Sequence, residues 1–250
     1  MWSMSIQSEM SNNNNYIIIG GTSGIGLATA DYLRNLGENV IVGSRHDNEE
    51  STHDYFQVDV TSIKSINLFF IYIKQKLKTV NGLVYSVGIT TQKKSIEEFD
   101  EDVWKQIIDV NVTGLLRVLK VFYPLLIDCC SKVVIVNSIA SKKYSEYSGF
   151  EYTASKCALS GIVRQLAIEW RQKGIMINSI FPSMTNTPML SSQLDEKQIE
   201  NILGELPLNK LAETLDSARA IEFLLNPENN YLTGTGINVT GGIHLDGEEV

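Results

Sequence analysis

The stretch Tyr16-Ile-Ile-Ile-Gly20-Gly-Thr-Ser-Gly24-Ile-Gly26 joins an aliphatic run to a glycine-rich turn. The aliphatic run predicts a buried strand, and the residues after Gly26 have the pattern of a helix. Glycine suits such a turn because a side chain would keep the backbone away from a pyrophosphate, which the N–H groups of the helix bind. The turn therefore predicts a dinucleotide site, although a tight strand–helix connection would use the same glycines.

Apolar strand-like runs alternate with helical patterns along the rest of the chain. The predicted strands are 16–20, 39–43, 55–58, 82–87, 132–138, 175–181 and 236–239, and the predicted helices are 24–36, 62–78, 99–127, 152–173 and 212–225. This alternation predicts a Rossmann-like, doubly wound α/β fold, with a predominantly parallel seven-stranded sheet and helices on both faces. The polar residues 1–15 are predicted to be a disordered N-terminal extension, which leaves a single domain over residues 16–250.

Composition excludes several classes of protein. The 250 residues are 43% hydrophobic and carry a formal net charge of −8, which fits one sizeable core and disfavours a nucleic-acid partner. No run approaches the ~20 apolar residues of a membrane span, and no secretory signal pattern is present. The three cysteines make no disulfide framework and no zinc-site spacing, so we expect a cytoplasmic protein without a bound metal.

The end of the second predicted strand bears on the choice of dinucleotide. An acidic residue there would hold the ribose 2′-hydroxyl of NAD, whereas a basic residue accepts the 2′-phosphate of NADP. This strand ends Val42-Gly43-Ser44-Arg45. Ser44 stands where an acid would repel phosphate, and Arg45 can make a forked contact with it. NADP(H) is therefore favoured over NAD(H), although Arg45 is also consistent with a solvated surface arginine.

Four polar residues form a candidate catalytic group. Tyr152 and Lys156 lie four apart on a predicted helix, so the lysine charge is expected to favour the phenolate and lower its pKa. Ser138 follows an apolar strand, at the edge where that helix begins, although Ser141 is an alternative for its role. Asn111 lies within an apolar helical pattern, where it needs a dedicated partner whether it acts in catalysis or only in the core.

These motifs together resemble the short-chain dehydrogenase/reductase family, in its single-domain form of about 250 residues. The resemblance runs from Tyr16 to Leu245 and includes Gly24-Ile-Gly26, Asp59-Val60, Asn111-Val-Thr-Gly, Ser138, Tyr152-Thr-Ala-Ser-Lys156, residues 178–182, Thr187-Pro188-Met189, Thr233-Gly234 and Gly241-Gly242.

The resemblance implies hydride transfer between a nicotinamide and a carbonyl or alcohol carbon. Tyr152 would be the general acid or base, Ser138 would orient the carbonyl, and Lys156 would hold the nicotinamide ribose. Asn111 would keep a water of a proton relay. The implied cofactor contacts are Gly20, Thr22, Ser23, Gly24, Ile25, Gly26, Ser44, Arg45, Asp59, Val60, Ser86, Gly88, Tyr152, Lys156, Pro182 and Thr187.

The chain departs from the family pattern at four points. Ile19 replaces a threonine before the turn, Tyr85-Ser-Val-Gly88 replaces Asn-Asn-Ala-Gly, and Ser183 replaces the glycine after Pro182. The interval from Ser138 to Tyr152 is one residue longer than usual. The first three changes affect turn hydrogen bonds and adenine-side packing, and Tyr85 could lie against the adenosine.

Several hypotheses about the substrate and the role remain open. The sequence is similar to 3-oxoacyl-carrier-protein reductases, but reductases of sugars, steroids and polyketides share that similarity. A ketoreductase of a sugar derivative or secondary metabolite is the alternative, and a cofactor-binding regulatory protein without turnover is another. We expect residues 89–96, 139–150 and 183–206 to select the substrate, and the family implies a homodimer or homotetramer.

Overall fold

A computed structural model describes residues 13–46 and 53–245 of the chain. The strands are β1 (Asn15–Ile19), β2 (Asn39–Ser44), β3 (Asp54–Gln57), β4 (Gly82–Tyr85), β5 (Lys132–Val136), β6 (Met176–Pro182) and β7 (Gly236–Val239). The α-helices are α1 (Gly24–Asn35), α2 (Ile63–Lys76), α3 (Glu101–Ile108), α4 (Gly114–Asp128), α5 (Phe150–Trp170), α6 (Pro188–Ser191), α7 (Glu196–Glu205) and α8 (Thr214–Leu225).

The seven strands form one sheet in the order β3-β2-β1-β4-β5-β6-β7, and every neighbouring pair is parallel. This confirms the predicted Rossmann-like fold. The chain leaves β1 towards β2 and β3, then crosses back to β4 on the other side of β1. Such a reversal opens a crevice at the carboxyl ends of the strands, which is where ligands bind in doubly wound sheets.

Alternate residues of the central strands pack against helices on opposite faces. Ile17 and Ile19 of β1 belong to the core beneath α2, α4 and α5. Tyr16 and Ile18 face the other way, into the core beneath α1 and α8. Because side chains alternate along a strand and both faces are covered, these strands read as continuous apolar runs in the sequence.

The helix predicted over residues 99–127 is interrupted in the structure. A π-helical turn at Asp109–Thr113 separates α3 from α4. The capping box at Ser95 caps the short 3₁₀ turn Ile96–Glu98, while Asp100 caps α3 by accepting from the N–H groups of its first turn. By length and composition the stretch Glu101–Asp128 resembles a membrane span, but half of it is buried inside the protein.

The domain begins earlier than the sequence predicts. Asn15, assigned above to the extension 1–15, is the first residue of β1. The N–H and side-chain amide of Asn14 donate to the two oxygens of Glu38, at 2.6 and 3.0 Å. Residues 1–12 of the predicted extension lie outside the described residues.

The segment 183–206, which had no clear pattern in the sequence, contains two capped helices. Thr187 caps α6 and Asp195 caps α7 through a capping box. Leu194, before α7, Ile202 within it and Leu206 at its C-cap form a third, small core. The segment is therefore a helical insertion, and it covers one side of the crevice.

Candidate active site

A cleft of about 460 Å³ opens at the carboxyl ends of β4, β5 and β6. It is lined by the start of α1, the segment after β4, the region from Val136 to Ser148 and the α6–α7 insertion. The predicted site residues that line it are Ser23, Gly24, Ile25, Ser86, Gly88, Ser138, Tyr152, Lys156, Pro182 and Thr187. The cleft therefore brings the predicted catalytic end of the site together with one half of the glycine turn.

The glycine turn has no space for side chains at two of its positions. A Cβ on Gly26 would lie 2.1 Å from the carbonyl oxygen of Gly20, and Gly20 itself has a φ of +84°. A Cβ on Gly20 would lie 2.7 Å from the carbonyl oxygen of Ser86. Only glycine allows this close approach of the backbone segments, so the turn is shaped as a backbone cradle.

The cradle suits an anion. Ser23 is the N-cap residue of α1, and its side chain makes no capping hydrogen bond to the helix. The N–H groups of the first turn therefore receive no side-chain cap from Ser23, and they lie in a position where the helix dipole favours negative charge. These features fit the pyrophosphate of a dinucleotide.

The end of β2 lies beside the turn. The hydroxyl of Thr22 donates to the Ser44 hydroxyl at 2.9 Å, which connects the turn to the strand. Arg45 is exposed, and its carbonyl oxygen accepts from the side-chain amide of Gln57 at 3.1 Å. Thr22, Ser44 and Arg45 lie outside the cleft described above, on the side of the turn where an adenosine would extend.

Asp59 and Val60 differ in how much of each side chain is available to the adenosine part of a cofactor. Burial would raise the pKa of Asp59, but hydrogen bonds from the N–H and hydroxyl of Thr61 and the charges of Arg45 and Arg117 hold the pKa below its ordinary value. Asp59 is therefore a carboxylate at neutral pH. Val60 is only 4% exposed and packs in the core beneath α2, α4 and α5, so little of its side chain is available to an adenine.

Tyr85 does not lie where a ligand could reach it, so the suggested contact with adenosine is wrong. Its side chain is fully buried, and its hydroxyl donates to the carbonyl oxygen of Val110 at 3.0 Å. The chain turns away from the sheet directly after it, which exposes Ser86 to the cleft.

Tyr152 and Ser138 meet at the carboxyl end of β5, where α5 begins. The Ser138 hydroxyl accepts from the N–H of Ala140 at 3.1 Å, and the Ser138 side chain acts to lower the pKa of the Tyr152 phenol. The hydroxyl of Ser141 instead donates to the carbonyl oxygen of Ser138 at 2.8 Å. Ser138 lines the cleft and Ser141 does not, so the geometry favours Ser138 over the alternative.

Lys156 lies one helical turn beyond Tyr152 and is 4% exposed. Its Nζ donates to the carbonyl oxygen of Val136 at 3.0 Å and lies 5.5 Å from the centre of the Tyr152 ring. Burial lowers the pKa of the Lys156 amine to about 8. Burial also raises the pKa of Tyr152, which the Ser138 side chain lowers only in part.

The expected lowering of the Tyr152 pKa by Lys156 is therefore not seen. Both groups line the cleft, where removal from water disfavours the charged form of each. Tyr152 is consequently a phenol at neutral pH, ready to donate a proton.

Asn111 lies in the π turn and is fully buried. Its Oδ1 accepts from the N–H of Ile89 at 2.8 Å, and its Nδ2 donates to the Ile89 carbonyl at 2.9 Å and to the Ser155 hydroxyl at 3.0 Å. The dedicated partners expected from the sequence are thus protein groups. Both amide protons are used by them, so any water held by this side chain must donate to its oxygen.

Sequence reasoning missed Ser155, which connects Asn111 to the catalytic helix. Its hydroxyl donates to the carbonyl oxygen of Tyr152 at 2.7 Å while it accepts from Asn111. The only sequence signal was its position next to Lys156. Glu146 and Glu205 also line the cleft. They lie within the segments 139–150 and 183–206 that were expected to select the substrate, but the sequence did not single out either carboxylate.

The fold and the site together point to one class of protein. A dinucleotide cradle beside a phenol and a buried amine is typical of a nicotinamide-dependent oxidoreductase. A family model described as enoyl-(acyl carrier protein) reductase matches residues 20–244. The chain belongs to the short-chain dehydrogenase/reductase family, as its motifs suggested. It is accordingly an NAD(P)-dependent oxidoreductase acting on CH–OH groups.

Relatives cover almost the whole chain. The 3-oxoacyl-[acyl-carrier-protein] reductase FabG of Thermotoga maritima is 29% identical over 238 residues, which cover 91% of this chain and 96% of that protein. The aldohexose dehydrogenase AldT of Thermoplasma acidophilum is 27% identical with a TM-score of 0.85, covering 93% of this chain and 94% of that chain. ElxO, solved with NADP bound, is 28% identical with a TM-score of 0.85, covering 94% of this chain and 99% of that chain.

Proposed function

We propose that the protein reduces a ketone to a secondary alcohol with NADP(H), using Tyr152 as the general acid. The observation that carries this proposal is that Ser138, Tyr152 and Lys156 line one cleft together, with Lys156 buried beside the Tyr152 ring. The raised pKa of Tyr152 keeps its proton available at neutral pH. When bound, the cofactor supplies the hydride.

The protein residues then supply orientation and the proton. Ser138 and Tyr152 donate to the carbonyl oxygen of the substrate, which polarises it and fixes its distance from the phenol. Tyr152 releases its proton to that oxygen in reduction and takes one back in oxidation. The ammonium of Lys156 holds the nicotinamide ribose and stabilises the phenolate as it forms. Asn111 fixes the backbone around this group and offers its oxygen to a relay water.

The preference for NADP(H) rests on the end of β2. Position 44 holds a serine and not a carboxylate that would repel a 2′-phosphate, and Arg45 is exposed beside it. ElxO, a relative of known structure, binds NADP. Comparing the Michaelis constants for NADPH and NADH tests this part of the proposal, and a clear preference for NADH would contradict it.

Two substrate classes have support. A 3-oxoacyl thioester is favoured by the similarity to FabG of Thermotoga maritima. A sugar derivative or secondary-metabolite ketone is favoured by the carboxylates of Glu146 and Glu205 at the cleft, since these repel the phosphates of a thioester carrier. Burial raises the pKa of Tyr147, and the negative charges of Glu205 and Glu146 and a hydrogen bond with Glu205 raise it further. Both carboxylates therefore lie close to the Tyr147 ring.

A panel of ketones, sugar derivatives and 3-oxoacyl thioesters, followed by NADPH oxidation, tests the activity and ranks the substrates. Tyr152→Phe should reduce kcat at least a hundredfold with the cofactor still bound. Tyr123→Phe, on α4 away from the cleft, is the matched control and should retain activity. If NADPH binds, no carbonyl is reduced and Tyr152→Phe changes nothing, the protein is a cofactor-binding regulator instead.

We also propose that the protein is cytoplasmic and forms a homodimer or homotetramer. These proposals follow from its composition and from the assembly that the family implies. Light scattering on the purified protein measures the mass directly, and a monomer across the micromolar range would contradict the assembly.

A further inference from the structure

Tyr85 stands where the family pattern has an asparagine, and the proposed reaction does not use it. Its ring is fully buried in the main core. A Cβ on Gly114 would lie 2.8 Å from the Tyr85 hydroxyl oxygen, so the glycine leaves the space that the hydroxyl occupies. Burial raises the pKa of Tyr85 far above its ordinary value, and the hydroxyl is a permanent donor.

The acceptor of this hydroxyl lies in the π turn. Tyr85 donates to the carbonyl oxygen of Val110, the residue before Asn111. In this turn the N–H of Gly114 bonds five residues back, to the carbonyl oxygen of Asp109. A wider turn breaks the regular ladder of a helix and is a common device at functional sites. The Tyr85 hydroxyl thus forms a hydrogen bond to the backbone of the widened turn from the core side.

The segment that follows β4 is hydrogen-bonded to the same π turn a second time, four residues after Tyr85. The backbone of Ile89 forms two hydrogen bonds with the side-chain amide of Asn111, at 2.8 and 2.9 Å. Between the two attachments lies Gly88, where a Cβ would be 3.6 Å from Lys156 Nζ and 3.8 Å from Asn111 Oδ1. Lys156 and Asn111 therefore border the same short loop that Tyr85 and Ile89 fix.

We propose that Tyr85 is a positioning residue for Asn111: its hydroxyl fixes the π turn so that the Asn111 amide stays registered between Ile89 and Ser155. This inference rests on the proposed function, because it assigns Tyr85 to the proton-transfer group through Asn111. Tyr85 touches neither the substrate nor the cofactor. The alternative is that Tyr85 only fills the core.

Tyr85→Phe removes the hydroxyl and keeps the ring. If Tyr85 positions Asn111, kcat should fall about fivefold to tenfold, because a small misplacement of a proton-transfer group slows the chemical step. The KM for NADPH should stay within about twofold, and the alkaline limb of the pH–rate profile should move. The matched control is Tyr16→Phe, another buried tyrosine, which packs in the core on the opposite face of the sheet.

A double-variant cycle separates the two readings. In an Asn111→Ala background, Tyr85→Phe should have no further effect on kcat if it acts through Asn111. Gly114→Ala crowds the same hydroxyl from the other side and should reproduce the loss if Tyr85→Phe folds poorly. An unchanged kcat and pH profile in both single variants, per folded protein, would overturn the inference. If Tyr152→Phe and Asn111→Ala also left turnover intact, the proposed function itself would fail.

Discussion

The pKa of Lys156 leads to a quantitative prediction about cofactor binding. Burial lowers the pKa of this amine from 10.5 to about 8. We expect the ammonium, and not the neutral amine, to hold the ribose of the cofactor. Above pH 8 the free protein must therefore take up a proton when the cofactor binds, and the affinity falls as the pH rises.

The size of the effect follows from the same value. If the bound amine stays protonated, the apparent Kd rises by the factor 1 + 10^(pH − pKa), which is about 1.1 at pH 7, about 2 at pH 8 and about 11 at pH 9. An ordinary lysine with a pKa of 10.5 would change the Kd by only about 3% at pH 9. Roughly tenfold weaker binding between pH 7 and pH 9 is therefore the signature of a buried amine.

Titration calorimetry with NADPH between pH 7 and pH 9.5 measures this dependence. Starting at pH 7 avoids the protonation of a 2′-phosphate, whose pKa is about 6. Lys156→Arg is the control, since its guanidinium stays charged throughout and its Kd should be flat whatever its absolute value. A wild-type Kd that changes less than twofold, or an equal loss in Lys156→Arg, would refute the reasoning.

Three other changes test separate parts of the structure. Gly26→Ala places a Cβ 2.1 Å from the Gly20 carbonyl oxygen, so NADPH binding should weaken at least a hundredfold by calorimetry while the far-ultraviolet circular dichroism stays native. Ser44→Asp puts a carboxylate at the end of β2 and should raise the KM for NADPH at least tenfold, with less than threefold change for NADH. Lys132→Met removes a buried ammonium that donates to the carbonyl oxygens of Asn226 and Asn229 after α8, and should lower the free energy of unfolding in urea by roughly 2–4 kcal/mol.

For each of these three substitutions, one result would contradict the prediction. Unaltered NADPH affinity in Gly26→Ala would mean that the turn relaxes without cost and is not a cradle. Equal rises in both Michaelis constants for Ser44→Asp would remove the argument for a 2′-phosphate at that strand. A Lys132→Met protein as stable as the wild type would show that the burial of the ammonium costs as much as its two hydrogen bonds return.

The fold was predictable because its signals are local. Runs such as Ile17–Ile19 are apolar at every position because both faces of the sheet are covered, and the periodicity changes at Gly24 where α1 starts. The geometry of the glycine turn and the meeting of Ser138 with Tyr152 followed from one rule about the carboxyl ends of parallel strands. The roles assigned to those residues stay predictions.

What the sequence could not predict depends on partners that are distant along the chain. No particular residue type marks the π turn in the sequence. The hydrophobic pattern continues through Asn111 as it would in a single regular helix. Tyr85 finds its acceptor 25 residues away, at Val110. The burial of Val60 against Tyr85 and Gly114 likewise arises only after three segments pack together.

Burial explains why the two groups of the proposed proton transfer differ from the expectation based on their spacing. Four-residue spacing suggests an ion pair, in which a phenolate and an ammonium stabilise each other. Removal from water opposes the charged form of each group: it lowers the pKa of Lys156 to about 8 and raises the pKa of Tyr152. At neutral pH the pair is therefore a phenol and an ammonium, with Nζ 5.5 Å from the ring centre, and not a phenolate and an ammonium. A protonated phenol is the form that a reductase needs before the carbonyl arrives. In the proposed reduction, negative charge that develops on the substrate oxygen would stabilise the ammonium of Lys156, and the burial that disfavours both charges at rest would strengthen that interaction.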